Sequence, residues 1–326
     1  MLEHGGRLAE AAVYYGIAID DWIDLSTGIA PSAYPLPAVP EAIWRRLPED
    51  DDLEAVAAGY YGNASLLAVA GSQAAIQTLP TLFRAGIAAL PAPIYGEHPA
   101  AWQRAGHHLA RFAFDDLEAA CASADTVIVC NPNNPTGERY ARARLLTAAA
   151  MLSERGGRLV VDEAFMDATP EDSVAGAAGT AAPNLTVLRS LGKFFGLAGA
   201  RVGFVIGATA MLERLRETLG PWAVANPARW AARLALADTE WQANQRHRLH
   251  DASRRLTELL AAHGLAGGGT ALFHYVATPR TAEIHAAFAR RAILLRRFDE
   301  PPALRLGVPG VEAEWRRLAA AVEEIA

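Results

Sequence analysis

The chain has 326 residues, 52% of them hydrophobic, and sets 30 Lys and Arg against 36 Asp and Glu for a formal net charge of −6. That is enough apolar sequence for one large core or two modest ones, and the mild acidity argues against a nucleic-acid partner held by a basic surface. No run of about 18 apolar residues predicts a membrane span, the first residues lack the pattern of a secretory signal, and the two cysteines, Cys121 and Cys130, have no disulfide-framework or zinc-site spacing. The expectation is a soluble cytoplasmic protein without a metal.

Along the chain, short apolar runs alternate with longer helical patterns. SLLAVA (65–70) predicts a strand, 72–85 a helix kinked at Pro80, and GIAAL (86–90) another strand. TVIVC (126–130) and RLVVDEAF (158–165) predict strands joined by the helix RARLLTAAAMLSERG, with Cys130 in the core. Residues 185–191 and 201–207 predict two further strands, 176–183 a loop, and 211–220 a helix stopped at Gly220. Continuous apolar strands separated by helices predict an α/β fold, with a parallel or mixed sheet covered on both faces. After residue 222 a long, arginine-rich helical stretch leads to the strand-like TALFHYVAT, AILLRRF and ALRLGV, then to a last helix over 311–326. The expected organisation is an N-terminal arm, 1–40, joining the small domain; a large domain, 41–222; and a connecting helix with a small C-terminal domain, 223–326.

Polar residues fall at the strand ends, outside which open α/β sheets bind ligands. Gly71, Ser72 and Gln73 lie between a strand and a helix, where free N–H groups form an anion cup or Ser72 serves as a cap. Tyr95, in the loop PAPIYGEH (91–98), either stacks on a flat ring or closes the edge of the core. NPNNPTG (131–137) makes a rigid turn with amide groups pointing out. Asp162 and Glu163 end one strand and point to opposite faces, so one can meet a ligand while the other is structural. Lys193 stands among small and aromatic residues in SLGKFFGLAGARVGF (190–204), ahead of Arg201.

In that order, these segments resemble the fold-type I pyridoxal-phosphate enzymes, specifically the class I/II aminotransferase superfamily, over nearly the whole chain. The resemblance implies a large domain with a mixed, mostly parallel sheet covered by helices, a small α+β domain, pyridoxal 5'-phosphate as cofactor, and a homodimer. It implies that Lys193 forms a Schiff base with the cofactor, Asp162 pairs with the pyridinium nitrogen, Asn134 donates to the ring 3-oxygen and Tyr95 stacks on the ring. Ser72, Gln73, Ser190 and Arg201 would hold the 5'-phosphate.

Two departures narrow the resemblance. Superfamily members usually read DEAY, whereas Phe165 lacks the phenol. Histidinol-phosphate aminotransferases carry a YPD tyrosine where this chain has Leu47, in RRLPEDD. The N-terminal EHGGRLAEAAVYYGI and WIDLSTGIAPSAYP are similar instead to the threonine-phosphate decarboxylase branch. His4, Gly5, Gly6, Asp24 and Ser26 match it, and Thr27-Gly28 stands where many relatives have an asparagine.

That branch implies decarboxylation of L-threonine O-3-phosphate to (R)-1-amino-2-propanol O-2-phosphate and CO2, a step of cobalamin synthesis. The alternatives are a histidinol-phosphate-type transamination and a non-catalytic domain of the same fold. A substrate with a phosphate and a carboxylate calls for cations, and the resemblance puts His4, Gly28, Arg296, Arg297 and Arg305 on the substrate side. Arg296 and Arg297 point to opposite faces of a strand, so at most one reaches the substrate. Arg305 takes the position that binds substrate anions across the superfamily.

Overall fold

The structure, a computed structural model, describes residues 4–49 and 51–325. The chain forms two compact units. One takes the chain up to Ala33, Pro135–Glu138 and the chain from Ala243 onward; the other takes Tyr34–Asn134 and Arg139–Gln242.

The larger unit is built on a seven-stranded sheet in the order Leu66–Val69, Gly203–Ile206, Leu185–Ser190, Arg158–Asp162, Thr126–Cys130, Ile87–Pro91, His108–Phe112. Gly203–Ile206 is antiparallel to both neighbours, and the other pairs are parallel. The central strands are buried along their length, as Val127, Ile128, Val129, Val160 and Val161 require. Each such side chain contributes roughly 1.5–3 kcal/mol when withdrawn from water. Six strands therefore end on one side, and Asp162, Asn131 and Ser190 lie at those carboxyl ends.

The smaller unit has a four-stranded antiparallel sheet, ordered Arg296–Asp299, Pro302–Gly307, Phe273–Ala277, Gly268–Thr270. Ile23–Asp24 pairs in parallel with Ile293–Leu294, so the N-terminal arm is stitched into this unit. The helix Leu8–Tyr15 adds Leu8, Ala11, Ala12 and Tyr15 to a cluster with Trp22, Ala289, Ala292 and Leu294. Among the described residues no helix is long and apolar enough to cross a membrane.

Several local expectations shift. The predicted helix over 72–85 is a helix only over Ser72–Thr78, followed by a 3-10 turn at Leu79–Leu82, where Pro80 lacks the N–H that an α-helix needs. The strand starting at Arg158 ends at Asp162 rather than at Phe165, because the Asp162 Oδ1 accepts the Ala164 N–H and turns the chain. The stretch after residue 222 is two helices, Asn226–Ala237 and Thr239–Ala262, broken at Asp238. The unit boundaries also differ from residues 40 and 222. The helix Asn226–Ala237 buries Ala228, Ala231, Ala232, Ala235 and Leu236, and Arg229 pairs with Asp51 and Glu54, which keeps it with the large sheet.

Candidate active site

In the larger unit, two strand ends and two loops converge around Asp162. Its side chain is 5% exposed. Oδ2 lies 2.9 Å from the His98 Nε2, and Oδ1 accepts the Ala164 N–H at 3.0 Å. A buried carboxylate without such partners would cost several kcal/mol. His98, itself buried, begins the helix Glu97–Arg104 and lies edge-on to the Tyr95 ring, with centroids 6.2 Å apart. Sequence reasoning passed over His98, although it stands in the segment PAPIYGEH, three residues beyond Tyr95 and so on the side that Tyr95 faces.

The Asn-Pro turn divides its labour. Asn131 accepts the Tyr140 N–H and donates to the Tyr140 carbonyl, and Asn133 donates to the Pro93 carbonyl. Those two hold the turn together, and Asn134 is the half-buried member of the three. The backbone N–H groups of Asn134 and Tyr95 point at the Cys130 thiol. Burial, and then the charge of Asp162, push that thiol well above its ordinary pKa. The donor atoms of His98, Cys130 and Asp162 lie within 4.8 Å of one another. A protonated thiol that accepts two N–H groups suits a hydrogen-bonded cluster better than a thiolate metal site.

Glu163 has the opposite fate to Asp162, as the alternation of a strand requires. It is fully buried, accepts from Arg189 Nη1 at 2.6 Å and from the Val174 N–H at 2.8 Å, and burial raises its carboxyl above the ordinary value. Arg189 also pairs with Asp167, which accepts from the Tyr60 hydroxyl at 3.1 Å. Burial alone would lower the Arg189 guanidinium, but Asp167 and Glu163 hold it protonated, above its usual value.

Lys193 is half-buried, with Nζ 5.5 Å from the centroid of the buried Phe165 ring. The loop beyond it is pinned by aromatics: Phe195 stacks on Trp241 with centroids 5.8 Å apart, and the Phe195 carbonyl accepts the Tyr34 N–H. Arg201, at φ 54, donates to the Ala198 carbonyl at 3.1 Å. A Cβ added at Gly71 would lie 2.6 Å from the Arg201 guanidinium, so Gly71, at φ +74, leaves the room that Arg201 fills. Ser190 pairs across the sheet with Gly203, whose Cα side faces the Ser72 backbone nitrogen. Ser72, Ser190 and Arg201 thus come together.

The Gln73 side chain does not join them. It donates to Glu97 at 2.9 Å and accepts from the Tyr95 hydroxyl at 3.4 Å, so it braces Tyr95. Its backbone N–H is what remains for the cup.

These residues suit pyridoxal 5'-phosphate. A buried carboxylate backed by a histidine answers a ring nitrogen, and the Arg201 guanidinium over a glycine at a helix start answers a phosphate.

In the smaller unit, Gly5 approaches so closely that an added Cβ would lie 2.4 Å from the Ser26 carbonyl oxygen. The Gly6 N–H donates to the Ser26 Oγ at 2.8 Å, and that hydroxyl donates to Asp24 at 2.6 Å. Arg305, 6% exposed, donates to the Ser26 carbonyl at 2.8 Å and lies over the Phe273 ring. The His4–Gly6 stretch, the Asp24–Ser26 turn and Arg305 are therefore one assembly. His4 itself is exposed, and Gly28 turns at φ 64.

Strand register separates the other two arginines. Arg296 stands directly opposite Arg305, and Arg305 opposite Tyr275, so the three share one face. Arg297 faces the other way and pairs with Asp299 at 3.1 Å.

Residues 47–322 match the model of the aminotransferase class I and II family. The chain is 53% identical over 324 residues to the threonine-phosphate decarboxylase of Pseudomonas aeruginosa, covering 99% of this chain and 97% of that protein. It is 44% identical over 330 residues to the threonine-phosphate decarboxylase of a Sinorhizobium species, covering 98% and 97%. In fold it is similar to the crystal structure of histidinol-phosphate aminotransferase from Sinorhizobium meliloti in complex with pyridoxal-5'-phosphate. That likeness has a TM-score of 0.81 at 23% identity, over 99% of this chain and 95% of that one.

Proposed function

The chain belongs to the aminotransferase class I and II family, and from that premise we propose that it is a pyridoxal-phosphate-dependent carboxy-lyase. It converts L-threonine O-3-phosphate to (R)-1-amino-2-propanol O-2-phosphate and CO2, a step of cobalamin synthesis. What carries the reading is the full-length likeness to threonine-phosphate decarboxylases. The buried Asp162–His98 pair beside Tyr95 and Cys130 supports it.

When bound, the cofactor supplies an electron sink for the pair left on Cα as the carboxylate departs. The protein's residues do the rest. The Lys193 Nζ would hold the cofactor, and once freed by the substrate amine it would return a proton to Cα, directly or through a water. The Asp162 carboxylate, fixed by His98 and the Ala164 N–H, would hold a proton on the ring nitrogen. Asn134 would donate to the ring 3-oxygen, and Tyr95, braced by Gln73, would stack on the ring. Ser72, Ser190, Arg201 and the Gln73 backbone N–H hold the cofactor phosphate.

On the substrate side, Arg305 meets the carboxylate, and Arg296 with His4 meets the phosphate beside Gly28. Holding a remote phosphate would let binding energy orient the Cα–carboxylate bond for cleavage. Arg297, engaged with Asp299, takes no part. A homodimer is the assembly that goes with this family resemblance.

The test is the product. The purified protein, loaded with pyridoxal 5'-phosphate and given L-threonine O-3-phosphate, should release the phosphorylated amino alcohol, identified by mass. Formation of a 2-oxo acid instead would make it a transaminase.

A further inference from the structure

The strand that ends in Asp162 begins at Arg158, four residues and so about 13 Å away, and that other end borders a cavity. The cavity, of about 330 Å³, lies in the larger unit at the amino ends of Arg158–Asp162 and Leu185–Ser190. Its wall includes Arg158, Arg214, Thr186, Phe83 and Met211, and none of the residues lining it is acidic. The Arg158 guanidinium lies 4.6 Å over the Phe83 ring, which stacks on Trp102 with centroids 6.1 Å apart. Arg214 donates to the carbonyl of Leu82, the residue before Phe83. Two cations therefore line one wall, Arg158 on the Phe83 ring and Arg214 on the carbonyl just before it. Ala208 and Ala210, at the start of the 11-residue helix Thr209–Leu219, also line the cavity, and no side chain caps that helix start. Its first N–H groups carry the positive end of the helix dipole.

Thr186 adds a polar group from the strand itself. It is 6% exposed and lines the cavity, so its hydroxyl adds a donor to that wall. The hydroxyl on the cavity wall can donate to a ligand there, and two guanidinium groups with a helix start favour an anion.

We propose that this cavity is a second anion-binding site, separate from the catalytic end of the sheet, that takes a small phosphate- or carboxylate-bearing molecule. The oxyanion accepts from Arg158, Arg214 and the Thr186 hydroxyl. Phe83, Met211 and Pro183 form an apolar wall beside it, fitted to a short organic body.

Crystals of the holoenzyme soaked in tungstate locate the site directly. An anomalous peak within hydrogen-bonding reach of Arg158, Arg214 and Thr186 is expected, and it should vanish in the double variant Arg214→Gln, Thr186→Val. Calorimetry with inorganic phosphate and with phenyl phosphate then measures the loss. Affinity at this site should fall at least about tenfold, or 1.4 kcal/mol, while CO2 release from L-threonine O-3-phosphate stays within about twofold of wild type and so reports an intact fold. Phenyl phosphate binding more tightly than phosphate would identify an organic ligand, and equal binding the free oxyanion. Tungstate peaks elsewhere but none in this cavity, or a cavity peak and affinity that survive the double variant, would overturn the proposal.

Discussion

The cluster around Asp162 and the row around Arg305 both bury charge, and they hold it in different ways. Asp162 is satisfied at both oxygens by groups of its own unit, one of them 64 residues away in sequence. Arg305 rests on the Ser26 carbonyl and the Phe273 ring and has Arg296 directly opposite it. Like charges at opposed strand positions destabilise a sheet. In the proposed reading that pair of arginines serves the anionic groups of the substrate. The difference teaches a division of labour: the larger unit fixes one buried carboxylate with a histidine and a backbone N–H, whereas the smaller unit seats its arginines on a carbonyl and aromatic rings and sets them opposite each other by strand register.

The largest test of that division is on the side of the larger unit. Lys193→Ala should lose all turnover above background, and borohydride should no longer fix the cofactor to the protein. Full turnover in that variant would end the role of Lys193. Next, Asp162→Asn keeps the shape and removes the charge. It should bind cofactor and lose at least about a hundredfold in kcat, some 2.7 kcal/mol of barrier; a loss under threefold would detach Asp162 from the ring nitrogen. On the side of the smaller unit, Arg305→Gln should cost about tenfold or more in kcat/KM with the phosphorylated substrate. A shift from CO2 release toward amine transfer would sharpen its assignment to the carboxylate, while wild-type kinetics for both products would remove it from the site. Arg297→Gln, facing away, should change kcat/KM by less than about twofold; a tenfold loss would mean that Arg296 and Arg297 have been assigned to the wrong faces.

How much of this was legible in sequence depends on whether the cause was local. Asp162, Asn134 and Lys193 stand at strand ends or in turns whose apolar runs and Pro-Gly punctuation are readable directly, and the opposite fates of Asp162 and Glu163 follow from strand alternation. His98 was not legible, because its role is a pairing across 64 residues. The choice between Arg296 and Arg297 was not either, because it rests on the register that sets Arg296 against Arg305. Gln73 stands in the cup segment, yet its side chain follows Tyr95 and Glu97. The edge strand His108–Phe112 escaped notice because it is only half-buried and shows no continuous apolar run. The helix Asn226–Ala237 has the amphipathic pattern of a connector, and the unit it joins is decided by Arg229 meeting Asp51 and Glu54.

The central claim is that the chain breaks the Cα–carboxylate bond of a phosphorylated amino acid and leaves the nitrogen on the product. Counting CO2 released against pyridoxamine phosphate formed, with L-threonine O-3-phosphate and no oxo acid present, tests it directly. The account predicts one CO2 per substrate consumed over many turnovers, with pyridoxamine phosphate a trace. Stoichiometric pyridoxamine phosphate without CO2, with turnover restored only when 2-oxoglutarate is added, would contradict it.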